Sequence, residues 1–295
     1  ISEEASGAQK ETRQETAERR VTMRRKIFTI LFALLFLVGF GILAYPTISN
    51  QWNTYRQSRL ISNYKDITEN TDTEDFGREW EKAESYNNSI TVNQPMSADV
   101  FSEGGQEDKD SEYWNVLNIA GDGMMGYLSI PKINVELAIY HGTSDEVLQT
   151  GVGHIEGTKL PIGGESNHTV LAAHRGLPSA RLFTDLDQLE EGDQFYIHIF
   201  DEVLAYEVDQ ILPMVDKDDT EALQQALAIE DGQDYVTLFT CTPYGVNTHR
   251  LLVRGTRVEY HEEEAAETPM DTAKNLLQDY YMFFLIGGVC VTGIV

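Results

Sequence analysis

The feature that most constrains this chain is the apolar stretch IFTILFALLFLVGFGILAY, which runs from residue 27 to 45 without a charge. About 20 apolar residues cross a bilayer core as a helix, so the stretch reads as a transmembrane segment. Seven basic residues precede it (Lys10, Arg13, Arg19, Arg20, Arg24, Arg25 and Lys26) against five acids. Such a basic flank marks the cytoplasmic side. Residues 1–26 are therefore expected in the cytoplasm, and the chain beyond residue 45 outside it. A cleaved signal peptide is the competing reading, but the run exceeds an ordinary h-region and YPTISNQWN offers no small-x-small cleavage site.

An external compartment can oxidise thiols. The two cysteines are Cys241 and Cys290, and the second lies in another apolar run, MFFLIGGVCVTGIV, residues 282–295. With Tyr280 and Tyr281 as an interfacial pair, residues 280–295 are expected to begin a second membrane helix, cut short at Val295. Cys241 is then a lone external thiol, either buried and inert or reactive by design.

The formal net charge is -26. A polyanion would be repelled over most of such a surface, so nucleic acid is not an expected partner. Residues 46–112 divide into a juxtamembrane helix over 46–66, a polar helix over 77–87 and an acidic Pro- and Gly-containing loop over 88–112. Loops of that length are usually lids or disordered. After residue 124 the texture changes to short β-rich runs: MGYLSI, VELAIY, HTVLAAH, QFYIHIF, LAYEVDQIL, YVTLFTC and RLLVRGTRV. Gly, Pro, Asp and Asn punctuate them. Helical turns are expected at Ser144–Gln149, with Ser144 as N-cap, and at Asp219–Leu227. Seven to eight short strands with scattered helices predict a mainly β, closed or nearly closed barrel over residues 113–260. An acidic linker follows over 261–279.

YVTLFTC ends in the turn-forming TPYG, which places Cys241 at a strand end. The next strand begins at HRLLVRG, so Arg250 should lie across an antiparallel pair from Cys241, and strand alternation then turns His249 away. A thiol needs a base or an imidazolium partner, and a fixed cation can stabilise an oxyanion. Among the seven histidines, His174 ends a nearly apolar strand and opens the turn RGLP. It is the best-placed base on spacing, with a purely structural role left open. His168 suits a strand start, and His198 alternates within its strand. The histidines and carboxylates lack metal-ligand spacing, so neither a metal nor a cofactor is expected.

TLFTC, with an arginine nine residues after the cysteine, resembles the active-site motif of the sortases, membrane-bound cysteine transpeptidases of Gram-positive bacteria. The longer stretches TLFTCTPYGVNTHRLLVRG, GVGHIEGTKLPIGG and VLAAHRGLPSARLFTDLDQLEEGD resemble the class C, pilus-assembling branch, over roughly residues 50–260. The resemblance implies Cys241 as nucleophile on the Thr–Gly carbonyl of a Leu-Pro-X-Thr-Gly-like sorting signal. It implies His174 as the acid and base for the leaving and incoming amines, and Arg250 as the group holding the carbonyl or oxyanion. Thr240, beside the cysteine, is implied in substrate positioning, although a β-branched residue suits a strand equally. Pilin subunits carrying sorting signals and acceptor lysines are the implied partners, at the outer face of the cell membrane. Class C members carry an N-terminal extension and a lid anchored by Asp-Pro-aromatic; here the loop offers Asp99-Val100-Phe101. Asp99 would engage Arg250 and Phe101 would cap Cys241, without a proline to pre-set the turn. The rival readings are a housekeeping sortase using a peptidoglycan amine, a cysteine peptidase, and a non-catalytic membrane-anchored surface β-domain.

Overall fold

A computed structural model of the chain describes residues 2–71, 73–92, 100–101 and 111–261. The expected second membrane helix, the acidic linker beyond residue 261 and Asp99 lie outside the described residues.

The chain forms two compact units, 1–48 and 49–295. The first belongs to the helix α1, Ser2–Glu69, which contains Pro46. An anchor helix and a separate juxtamembrane helix, as the sequence suggests, are one helical element here. The helix is long and apolar enough to cross a membrane, and side chains such as Phe28 and Leu35 are exposed along it.

The second unit is a closed barrel. Its strands are β1 (Met124–Ile130), β2 (Val135–His141), β3 (Val152–His154), β4 (Asn167–Ala172), β5 (Gln194–Ile199), β6 (Glu202–Asp216), β7 (Asp234–Thr242) and β8 (His249–Val258). They close in the order β1-β2-β3-β4-β7-β8-β6-β5. Most neighbours are antiparallel, but β2/β3 and β4/β7 are parallel. β3 was not anticipated from the sequence. Three residues including a glycine carry no strand pattern, and their pairing depends on neighbours remote in the chain.

Strands β4 and β7 are buried on both faces, and β8 is so over its apolar part, Arg250–Val253. Leu171, Val236, Leu238, Leu251 and Val253 join the main core with Leu128, Phe195 and Ile197. The alternate residues Val170, Ala172, Phe239 and Leu252 form a smaller cluster on the other face. Leu148 of α4 (Asp145–Thr150) and Leu223 of α5 (Thr220–Ala226) cover that cluster. Asp219 caps α5, accepting from Ala222 N at 3.0 Å. Ser144 occupies the N-cap position of α4, but its side chain makes no capping hydrogen bond.

The segments before the barrel are fastened to it. From the later part of α1, Gln57 Oε1 accepts from Ala138 N at 2.9 Å, and Tyr64 Oη donates to Met125 O at 2.9 Å while accepting from Phe200 N. On α2 (Thr73–Ser89), Phe76 stacks on Phe200 at 5.1 Å and Trp80 meets it edge-on. The short helix α3 (Glu112–Asn115) buries Tyr113 and Trp114.

Candidate active site

Cys241 lies one residue before the end of β7, and its register partner across the antiparallel pair is Arg250, near the start of β8. Both are almost wholly buried, at 3% and 2% exposure. The loop between them folds back tightly: Val246 N and Asn247 N both donate to Pro243 O at 3.0 Å. Asn247 adopts a left-handed φ of 62°, a conformation asparagine tolerates better than most residues. The turn delivers two carbonyl oxygens to Arg250, whose Nη1 donates to Asn247 O at 3.0 Å and to His249 O at 2.7 Å. A buried guanidinium is costly unless its N–H groups are engaged, and these contacts fix its position beside the thiol.

His174 comes from β4, the parallel neighbour of β7 on its other side. The ladder runs to Ala172↔Phe239. One residue further, Ala173 N donates to Phe239 O at 3.2 Å, and Thr240 Oγ1 donates to Ala173 O at 2.7 Å. His174 therefore emerges level with Cys241. The three residues sit in one row, at corresponding ends of three adjacent strands: His174 after β4, Cys241 on β7 and Arg250 on β8.

His174 is half-buried. Desolvation lowers its pKa below the ordinary imidazole value, and the carboxylate of Asp145 at the start of α4 pulls it back up. The ring is therefore neutral near pH 7 and suited to take a proton from a thiol.

Phe101 closes this row. Its ring lies 5.2 Å from the His174 ring, 5.9 Å from Phe239 with the planes parallel, and 5.4 Å from the Arg250 guanidinium. Strand alternation puts Phe239 and Cys241 on one face of β7, so Phe101 rests on the side the thiol faces. Thr240 alternates to the opposite face, is fully buried and commits its hydroxyl to Ala173. That contact joins β7 to the strand carrying His174, and it orients the hydroxyl away from the side where a substrate would meet Cys241.

The three fully buried histidines have both ring nitrogens engaged, and half-buried His198 is held by stacking. His141 has Nδ1 2.9 Å from Gly123 O and Nε2 2.8 Å from Val116 O. His154 contacts Tyr113 Oη at 2.8 Å and Lys159 O at 2.9 Å. His168 contacts Ala228 O at 2.7 Å and Thr237 Oγ1 at 2.8 Å. His198 stacks on Tyr127 at 4.1 Å. Among the described residues no hydrogen bond engages either ring nitrogen of His174, and no group of three or more His, Cys, Asp or Glu side chains is arranged to hold a metal ion.

Sequence reasoning gave no site role to Asn247, whose carbonyl receives Arg250, to Asp145, whose carboxylate acts on His174, or to Arg175, which bonds Thr242. Arg175 adjoins His174 in the chain, the one signal that could have drawn attention to it.

Residues 128–258 match the sortase domain family. Among solved structures, sortase C1 of Streptococcus agalactiae is 46% identical with a TM-score of 0.61, the alignment covering 69% of this chain and 100% of that one. The Streptococcus pneumoniae sortase C, whose structure addresses catalysis and pilin substrate specificity, is 43% identical with a TM-score of 0.61, covering 68% of this chain and 97% of that one. Sortase D of Bacillus subtilis is 34% identical over 136 residues, covering 45% of this chain; the chain spans 63% of that relative's length.

Proposed function

The chain belongs to the sortase family of cysteine transpeptidases, with class C enzymes as its solved neighbours, and from that premise we propose that it is a pilus-type sortase. It cleaves a Leu-Pro-X-Thr-Gly-like sorting signal between Thr and Gly and joins the Thr acyl group to a lysine amine of the next pilin. The N-terminal helix anchors it in the membrane, and the barrel works on the extracellular side. The observation that carries this reading is the row formed by His174, Cys241 and Arg250 on adjacent strand ends.

The roles follow from the chemistry of each group. Neutral His174 takes the thiol proton as Cys241 sulfur attacks the Thr carbonyl carbon. The carbonyl oxygen becomes an oxyanion, and the Arg250 guanidinium beside it stabilises the charge in a water-poor site. As the C–N bond breaks, His174 gives its proton to the leaving glycine amine, leaving a thioester on Cys241. The lysine amine then attacks that thioester, His174 removes its proton, and the thiolate departs and is reprotonated. The result is an isopeptide bond and the starting enzyme. Phe101 must swing off the row for substrate to enter, which makes the segment carrying it a lid; Asp99 is proposed as the partner of Arg250 when the lid is shut.

Intact-mass analysis of the full chain in detergent, given a sorting-signal peptide and a lysine-bearing pilin domain, tests this. A thioacyl adduct that passes to the pilin lysine and disappears in Cys241→Ala is the expected result. An adduct that only hydrolyses, or that passes solely to a peptidoglycan amine, would overturn the pilus assignment.

A further inference from the structure

Beyond Ala172↔Phe239 the parallel ladder between β4 and β7 stops, two residues short of the level of His174 and Cys241. Past the bonds of Ala173 with Phe239 O and Thr240 Oγ1, the next link is a side chain. Arg175, directly after His174, donates from Nη1 to Oγ1 of Thr242, directly after Cys241, at 3.3 Å. Its Nε donates to Thr184 O at 3.2 Å, and its Nη2 pairs with the Asp187 carboxylate. The Arg175 side chain is only 9% exposed, and Thr242 only 6%.

We propose that Arg175 is a positioning residue for the transpeptidation reaction, a clamp that sets the separation of His174 from Cys241 by tying the residue after one to the residue after the other. The inference rests on the roles given above to His174 and Cys241. Arg175 does not meet substrate through Thr242, since alternation along β7 turns Thr242 to the face opposite Cys241.

Three further contacts support the assignment. Phe183 N donates to His174 O at 3.1 Å, and Gly176 N donates to Thr184 Oγ1 at 3.2 Å. Segment 174–176 is thus already held by 183–184, and Arg175 adds the link from this paired unit to β7. Gly176 has a φ of +82°, and a Cβ there would lie 3.1 Å from the Tyr244 ring. The β7–β8 loop therefore packs closely on the same segment. The planar guanidinium matters because it donates in three directions at fixed angles, to a carbonyl, a hydroxyl and a carboxylate. A lysine ammonium on a flexible stem does not reproduce that fork.

Catalytic proton transfer needs donor and acceptor within hydrogen-bond reach, and a displacement of about 1 Å costs on the order of 100-fold in rate. The test uses the full chain in detergent as wild type, Arg175→Ala, Arg175→Lys and Thr242→Val. Steady-state cleavage of a fluorogenic sorting-signal peptide is followed beside the pH profile of Cys241 alkylation by iodoacetamide and thermal unfolding. Loss of the clamp is expected to lower kcat about 30-fold with KM within about twofold. Lysine should restore less than a tenth of the lost rate, and Thr242→Val should lower kcat by about fivefold with a near-native melting point. The alkylation profile should change in each variant.

If Arg175→Ala fails to fold, Thr242→Val decides, because it removes one acceptor atom and keeps the side-chain shape. A Thr242→Val kcat within twofold of wild type, restoration by Lys, or an effect carried by KM alone would overturn the clamp. Should wild type not cleave the peptide in a Cys241-dependent way, the proposed activity fails. The alkylation profiles then decide the clamp by themselves: a changed profile in Thr242→Val sustains it, and identical profiles dismiss it.

Discussion

His154 and His174 are the same residue type, each joined to the barrel sheet, and burial lowers the pKa of both. They differ in what their nitrogens touch. His154 is fully buried, accepting from Tyr113 Oη at Nδ1 and donating from Nε2 to Lys159 O, which fixes one neutral tautomer. His174 is half-buried at a strand end, against an aromatic ring that covers it without engaging its nitrogens by a hydrogen bond. Burial and a lowered pKa therefore do not separate a structural histidine from the proposed base. Unspent hydrogen-bonding capacity on the side of a thiol does.

The comparison breaks most sharply at the row itself. Cys241→Ala should abolish both the thioacyl adduct and turnover, read by intact mass and peptide cleavage, because no other described side chain offers a thiol there. Next, His174→Gln should lower kcat by about 1,000-fold while the melting temperature stays near that of wild type. The paired change His168→Gln should do the reverse. It leaves turnover per folded molecule within about twofold and costs about 2 kcal/mol of stability by disrupting bonds to Ala228 and Thr237. Equal losses of kcat in the two variants would erase the distinction.

Acid sharpens the structural side. Burial holds His154 down to about 3 and His198 down to about 4, against about 6.5 in an unfolded chain. Between those values the unfolded state binds more protons, so stability is full above about pH 6.5 and is lost as pH falls toward the folded values. The loss approaches about 1.4 kcal/mol per pH unit for His154. Denaturant midpoints should fall between pH 7 and 5, less steeply in His154→Leu, whose starting stability is itself lower. The smallest expected effect concerns the cover: Phe101→Ala should raise the alkylation rate of Cys241 a few-fold, and an unchanged rate would remove Phe101 as a lid.

Much of this was legible because period-2 patterning and turn chemistry are local. The runs around Leu128, Ile197, Leu238 and Val253 became strands, and TPYG between YVTLFTC and HRLLVRG set Cys241 opposite Arg250. What was not legible depends on the tertiary partner. The pairing of β3 with β2 and the outward-facing cluster on Phe239 both arise from neighbours distant in the chain. The commitment of Thr240 to Ala173 belongs to the same class, since no spacing rule announces a hydroxyl bonded 67 residues away.

The two halves of the proposed catalytic row carry different loop-closure entropies. Cys241 and Arg250 meet across a hairpin nine residues apart in sequence, whereas His174 joins Cys241 from 67 residues away, through a parallel pairing that no tight turn can make. The logarithmic dependence on length makes the second closure about 1.8 kcal/mol costlier than the first, and non-local parallel pairings of this kind are intrinsically slow to form. The thiol is thus paired with its cation at a lower closure cost than with its proposed base. The proposed acyl-transfer chemistry therefore depends on the closed barrel, since the β4–β7 pairing is what brings His174 level with Cys241.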